Sequence, residues 1–392
     1  MNPNHEISSE KSSENGMYYE KLADKYRIAK FLTLALLVLC ILLTVIFSAD
    51  AFRAVNFRYL TKYFRINPTT LDKTYHDIAY AVGGGSAFVL YHDDLAVLGE
   101  GKMALYDLSG DLVYRSDIEK GTASVDSGGR YLAAYTAGGK RVTFFHSFDA
   151  VLERSFSDPV SKVCVSDTGI AAVCLQEREK TSVVLLDEYL KTEKTLTLSE
   201  GVMMDMAISD DGKTLSVLTL VGEGASFYTR LDLWNLKSGE IVMTEAFAGK
   251  KPIATGAFAD GGFFAIFSRL AVFLEADGTV KARVPLAFDS VRYDVFGDRL
   301  LLLTPSGMLS LLESDGNACF SKNIPQTVLS VRFEKDTAYL LTEHSVLQYD
   351  EKGNLLTQTE IPSGVLDFFV LDDGSLLLCY ASETKRIMPS DS

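Results

Sequence analysis

The 392-residue chain is 47% hydrophobic and 23% charged, a balance that excludes global disorder. Its formal net charge is −14; residues 1–30 are neutral and residues 50–65 sum to +3, so the chain from residue 66 onward carries −17. A body that acidic repels phosphate backbones, which argues against nucleic acid as a partner.

Residues 1–16 (MNPNHEISSEKSSENG) lack apolar periodicity and read as disordered; residues 1–30 form an expected cytoplasmic tail. Phe31 to Ala49 is nineteen residues without a charge, enough to span the roughly 30 Å hydrocarbon layer as a transmembrane helix. Ala49-Asp50-Ala51 fits a signal-peptidase site. The apolar run is long for a cleaved signal, however, so residues 31–49 read as an uncleaved signal anchor. Basic residues balance on the two sides: Lys21, Lys25, Arg27 and Lys30 before the run, Arg53, Arg58, Lys62 and Arg65 after it. The order of short tail, single helix and long body decides for a cytoplasmic N-terminus and an extracytoplasmic body at the cell membrane. Within residues 50–70, Phe52, Val55, Tyr59, Leu60, Tyr63 and Ile66 fall at helical spacing between basic residues. Such a juxtamembrane amphipathic segment lies in the headgroup region or forms a stalk under the body. Asn67-Pro68 ends it.

Residues 71–392 are built from one repeat. Turns of a first kind precede the most apolar runs: Asp93-Asp94, Gly128-Gly129, Asp167-Thr168-Gly169, Asp211-Gly212, Gly261-Gly262, Gly297-Asp298, Lys335-Asp336 and Asp373-Gly374. The runs that follow, such as LAVLG, FFAIF and LLLLT, predict strands buried on both faces. Turns of a second kind lie at Ser109-Gly110, Phe148-Asp149, Glu188-Tyr189, Ser238-Gly239, Asp277-Gly278, Asp315-Gly316 and Lys352-Gly353. The strands before these mostly alternate, as in LDLWNL and MLSLLE, which predicts one buried and one exposed face. The period is about forty residues with four strands per unit, the signature of an all-β propeller. One interval is about ten residues longer, and Val221 to Ser226 reads as its loop insertion.

Eight first turns against seven second turns predict eight blades, with seven as the alternative. The unit Val365 to Tyr380 lacks its outer strands. Tyr75 to Val82 is an orphan strand at the other end, and Thr384 to Met388 is a further one. Pairing Tyr75 to Val82 with the last unit closes the ring and hides two open edges.

LDLWNLKSGEIV at Leu231 to Val242 resembles the last two strands of a WD40-type blade, with Trp234-Asn235 in place of Trp-Asp. LAVLGEGKMALYDLSGDLVYRS at Leu95 to Ser116 and RYLAAYTAGGKRVTFF at Arg130 to Phe145 are similar to a domain-of-unknown-function family of Gram-positive bacteria. That resemblance implies a single N-terminal transmembrane helix carrying a WD40-like or quinoprotein-like propeller. It implies no active site.

No residue is identified as catalytic, cofactor-binding or metal-ligating, and no cofactor is expected. Asp126-Ser127-Gly128-Gly129 matches the nucleophile segment of chymotrypsin-like proteases but falls on a repeat turn with no partner histidine motif. Asp210-Asp211-Gly212 and Asp372-Asp373-Gly374 look like fragments of calcium loops, yet two acids and a glycine are ordinary turn composition. His5, His76, His92, His146 and His344 are scattered singly. Cys164 and Cys174 flank one hairpin whose centred turn puts Cys164 opposite Ala171, so the cysteines read as buried thiols. Two function classes remain. One is a membrane-tethered scaffold for a protein, peptide or cell-envelope glycan. The other is a glycan lyase or hydrolase with acids converging on the central channel.

Overall fold

A run such as Phe-Phe-Ala-Ile-Phe needs cover on both faces, and a lone sheet cannot give it. The chain meets this need with eight four-stranded antiparallel sheets, an all-β eight-bladed propeller. The structure, a computed structural model, describes residues 30–39 and 77–388, apart from positions 93, 108, 147–148, 177–179, 199 and 288–289. Blades 1 to 7 occupy residues 87–117, 123–155, 160–198, 202–248, 252–285, 292–323 and 328–360, with strands in sequence order from the axis outward.

Blade 8 is assembled from two distant segments. Asp367–Val370, Leu376–Cys379 and Glu383–Ile387 supply three strands, and Ile78–Ala79 supplies the fourth. Ile78 pairs with Thr384 and Ala79 with Glu383. The Tyr80 and Thr384 hydroxyls share a 2.6 Å hydrogen bond, and the Gly85 N–H donates to the Ala381 carbonyl at 2.7 Å. The ring therefore closes with eight blades. Two details differ from the expectation. The closing strand is short, and it joins Glu383–Ile387 directly, with the 365–380 hairpin one strand further in.

The second strand of each blade is buried along its length, as in Leu132–Thr136 and Phe263–Phe267. The apolar clusters lie between blades, for example Val142 and Phe144 of blade 2 against Val163, Val173 and Leu186 of blade 3. Each such side chain contributes roughly 1.5–3 kcal/mol by leaving water.

Most third strands lack the exposed face that alternation predicts, although Met308–Glu313 keeps one, with Met308 exposed and Leu309 and Leu311 buried. Lys102–Tyr106, Leu270–Leu274 and Ser345–Tyr349 are almost wholly buried. Each blade is flanked by two others, and the fourth strands, such as Leu112–Asp117 and Ala318–Asn323, present a face to solvent. Polar residues in the third strands find internal partners. Asp232, fully buried, accepts from Arg230 Nε at 2.8 Å and from the Thr244 hydroxyl at 2.5 Å.

Several second turns are held by a residue at the end of the third strand or just after it. Asp107 Oδ1 accepts the N–H groups of Ser109 and Asp111 at 3.1 and 2.9 Å. Asp187 does the same for Tyr189 and Lys191 at 2.9 and 2.8 Å, and Asn235 for Ser238 at 3.0 Å. The WD40-like dipeptide thus marks an Asx turn. Asp94 and Asp149 are strand residues adjoining their turns. The expected loop insertion at Val221 to Ser226 is instead a longer hairpin: Thr214–Glu223 pairs with Ser226–Asn235, and Glu223 sits opposite Ser226. Gly224 at φ 59° lets the chain reverse in two residues, so strand pairing continues to the tip.

Cys164 lies opposite Ala172, one residue from the centred register, because the turn from Ser166 to Ile170 is longer than two residues. Cys164, Cys174, Cys319 and Cys379 are free thiols, three of them buried.

Residues 1–65 and 66–392 form separate units. In the first, residues 30–39 are helical and every side chain is exposed. The rest of the expected span, residues 40–49, lies outside the described residues, as do most of the tail and the segment 50–70. Among the described residues no helix is long and apolar enough to cross a membrane.

Candidate functional site

The first strand of each blade lines the axis; Arg292 and Glu334 apart, the charged side chains on these strands are six and fall into two matching sets. Asp126, Lys162 and Asp205 belong to blades 2, 3 and 4; Asp294, Arg332 and Asp367 belong to blades 6, 7 and 8. Acid, base and acid recur in the same order in both halves of the ring.

Bonds to the next blade dominate, while Asp367 Oδ1 also accepts the Phe368 N–H within its own blade at 2.8 Å. Asp126 Oδ2 accepts the Val165 N–H at 2.7 Å. Lys162 Nζ pairs with Asp205 Oδ1, and Asp205 Oδ2 accepts the Thr255 N–H at 2.8 Å. The Thr255 hydroxyl reaches back to Ser216 at 2.7 Å. In the second set, Asp294 Oδ2 accepts the Phe333 N–H at 2.7 Å. Arg332 Nη2 lies 3.0 and 3.1 Å from the two Asp367 oxygens, and its Nε donates to the Phe368 carbonyl at 3.3 Å. The Arg332 guanidinium carbon stands 5.1 Å from the centre of the Phe369 ring. These are charge-assisted bonds in a low-dielectric wall, and they lock neighbouring blades together.

Burial shifts the titration of the wall. It pushes the Asp126 carboxyl up to about 6, against the opposing pull of the Val165 N–H and the Lys162 charge. Asp294 is raised by burial too, partly offset by Arg332. Burial works against the Lys162 ammonium, but Cys164 and Asp205 outweigh it and hold the group above the usual lysine value. The buried Cys164 thiol is itself raised well above its ordinary value, so near neutrality Asp205 is the working counter-charge. Tyr293, on the first strand of blade 6, is raised by burial and then by the Asp205 charge.

A separate cleft of about 470 Å³ opens between blades 6 and 7, at the end of the propeller that carries the links between blades. Ser290, Arg292, Thr304, Ser306, Gln326 and Thr327 are its polar lining.

The residues singled out from sequence do not assemble into a reactive site. Asp126 and Ser127 end the first strand of blade 2 rather than forming the turn, which begins at Gly128. Asp126 is spent on the blade 3 backbone. Asp211 bonds Ser209 and Lys213 within its own turn, at 2.8 and 2.7 Å. Asp373 caps Ser375 and pairs with Arg386, while Asp372 pairs with Lys335. His92 contacts Tyr91, and His146 packs edge-on to Tyr131 at 5.7 Å. Half-buried His146 is held below its ordinary pKa by burial and by the Arg130 charge. His344 is exposed, and His5 and His76 lie outside the described residues. Among the described residues no three His, Cys, Asp or Glu side chains stand together as metal ligands. Sequence reasoning missed the six-charge wall. Its signal was a charge recurring just before the first turn, inside otherwise apolar units.

The fold has many solved counterparts. BamB from Moraxella catarrhalis superposes with a TM-score of 0.55 at 10% identity, covering 79% of this chain and 98% of that one. Sqt1 from Saccharomyces cerevisiae gives 0.60 at 11% identity, covering 80% and 98%. The computationally designed Ika8 protein gives 0.57 at 11% identity, covering 79% and 98%. At such identities the likeness is one of fold. No curated protein matches the chain in sequence. Residues 71–274, from ahead of the closing strand to the third strand of blade 5, match a sequence family, and the chain therefore belongs to the family of unknown function DUF5711.

Proposed function

We propose that the chain is a membrane-tethered interaction scaffold whose propeller lies on the extracytoplasmic side and presents its loops to a protein, peptide or cell-envelope glycan. The observation that carries the scaffold reading is the axial wall: its charges are committed to blade-to-blade bonds, so the channel serves rigidity. A rigid ring with loops at both ends suits binding. The tether reading rests on the nineteen uncharged residues from Phe31 to Ala49. It is supported by the helix at 30–39, where Phe31, Leu32, Leu34, Leu36, Leu37, Val38 and Leu39 are all at least 48% exposed. A helix apolar all round needs an apolar environment.

Single cysteines in a background lacking the native five test the topology. A cysteine at Ser13 should resist a membrane-impermeant thiol reagent in intact cells, and one at Ser390 should react. Reversed labelling would rule the orientation out.

One observation favours the second reading, an enzyme acting on glycans: Asp126, with a pKa near 6, is in the range of a general acid. Hydrolysis of cell-envelope glycan by the purified protein, lost in D126N, would replace the scaffold reading with this one.

A further inference from the structure

The cleft between blades 6 and 7 has a chemistry of its own. It is bounded by three segments: 290–292 entering blade 6, the hairpin turn 304–307, and the link 324–328 into blade 7. Among the described residues that line it none is acidic, although the propeller as a whole is strongly so. Arg292 is the one charged residue among the described residues of the lining. Arg292 Nε donates to the Val328 carbonyl at 3.2 Å, and the side chain makes no ion pair among the described residues. Elsewhere in blades 6 to 8 the arginines are engaged: Arg299 with Asp336 and Glu351, Arg332 with Asp367, Arg386 with Asp373.

The tether at Nε anchors the guanidinium, and among the described residues neither terminal nitrogen has a hydrogen-bond partner. Two parallel N–H groups at the end of a guanidinium match the two oxygens of a carboxylate. Around them stand the hydroxyls of Ser290, Ser306 and Thr327 and the amide of Gln326, while Val291, Pro305 and Pro325 supply apolar wall. The floor is firm. Gly307 adopts φ 87°, its carbonyl accepts the Ile324 N–H at 2.8 Å, and a Cβ there would fall 2.3 Å from the Ile324 oxygen. A volume of about 470 Å³ suits a small ligand or the end of a chain.

We infer that this cleft is a carboxylate-binding site, with the Arg292 guanidinium gripping the acid end-on and the apolar wall holding what is attached to it. The assignment stands independently of the tether and of the scaffold reading. The acid has two possible sources, a small free carboxylic acid or the C-terminus of a protein.

Titration of the purified full-length chain tests it, with propionate, N-acetyl-Ala-Ala-Leu and the C-terminal amide of that tripeptide as probes. One or both acids should bind saturably, and the amide should bind at least about tenfold more weakly than the free tripeptide. R292Q should weaken acid binding by about tenfold or more, and R292K should fall between, because an ammonium cannot match the carboxylate fork. S306L, which narrows the cleft and leaves Arg292 in place, should weaken binding as well, so the result does not hang on one variant folding. A tripeptide preference of about tenfold over propionate assigns the site to a chain end, and equal affinity assigns it to a free acid. Three results would overturn the inference: no saturable binding of either acid up to roughly 10 mM, acid and amide binding alike, or equal weakening by R115Q on the outer strand of blade 1.

Discussion

Asp126 shows how one side chain can support the fold and strain it together. Its carboxyl anchors the blade 3 backbone, yet burial lifts its pKa from 3.8 to about 6. A carboxyl raised on folding binds its proton more tightly in the native state, so its stabilising share is complete below pH 4 and declines as pH climbs to 6. Above that range the deficit approaches about 3 kcal/mol. D126N keeps an oxygen for the Val165 N–H and removes the charge. It should melt like the parent at pH 4 and higher than the parent at pH 8, whereas D126A, which leaves the Val165 N–H without its partner, should be less stable than D126N at both. Thermal melts of the three proteins across that range are the measurement, and a D126N protein less stable at pH 8 would contradict the assignment. Asp126 was visible in the sequence only as part of a protease-like segment. Its role was hidden because its partner, Val165, lies in the next blade, beyond any local window.

Blade-to-blade contact also explains which elements could be read. The second strands were legible because cover on both faces demands an unbroken apolar run, as in Phe263–Phe267. Most third strands were misread because alternation in sequence normally means a wet face. In Ser226–Asn235 the alternate residues Arg230 and Asp232 pair with each other inside the protein. The turns were legible through glycine and aspartate, and they gave the blade count. Gly128 tests how tightly adjacent blades approach. A Cβ there would sit 2.2 Å from the Ser166 oxygen and 2.8 Å from the Val165 oxygen, both backbone atoms of blade 3. G128A should therefore force the two blades apart and cost about 2–3 kcal/mol, a fall of roughly 5 °C or more in Tm. G138A is the control: nothing lies within 4 Å of a Cβ there, and only its φ of 79° opposes a side chain, a penalty of about 1 kcal/mol. Equal melting of the two variants would show that the blade contact is looser than drawn.

At the scale of the molecule, stability depends on the last blade. Ile78 and Val82 are buried against Leu371, Leu377 and Cys379, so removing the N-terminal strand uncovers apolar surface and a strand edge together. A chain from Leu71 to Ser392 should unfold in one sharp transition. A chain starting at Ser86 should melt well below it or aggregate, as should one ending at Ser363. An unchanged melting curve for the shorter start would show that Ile78–Ala79 does not hold the ring shut. The mismatch of eight turns against seven made this closure legible from sequence. The two-residue extent of the closing strand was not, because the apolar residues that follow it, Tyr80 and Val82, belong to the packed cluster between blades 8 and 1 rather than to the strand ladder.

The pairing of Ile78 with Thr384 also sets a clock on biosynthesis. The ribosome makes the closing strand roughly three hundred residues before its partner, a delay of about 15–60 s at 5–20 residues per second. Through that interval blades 1 to 7 can stack one upon another as they emerge, but the nascent protein remains an open arc. Its first strand waits unpaired until Glu383–Ile387 has been made. Slow translation, or a stall within the final blade, prolongs the time in which a chaperone must guard that edge.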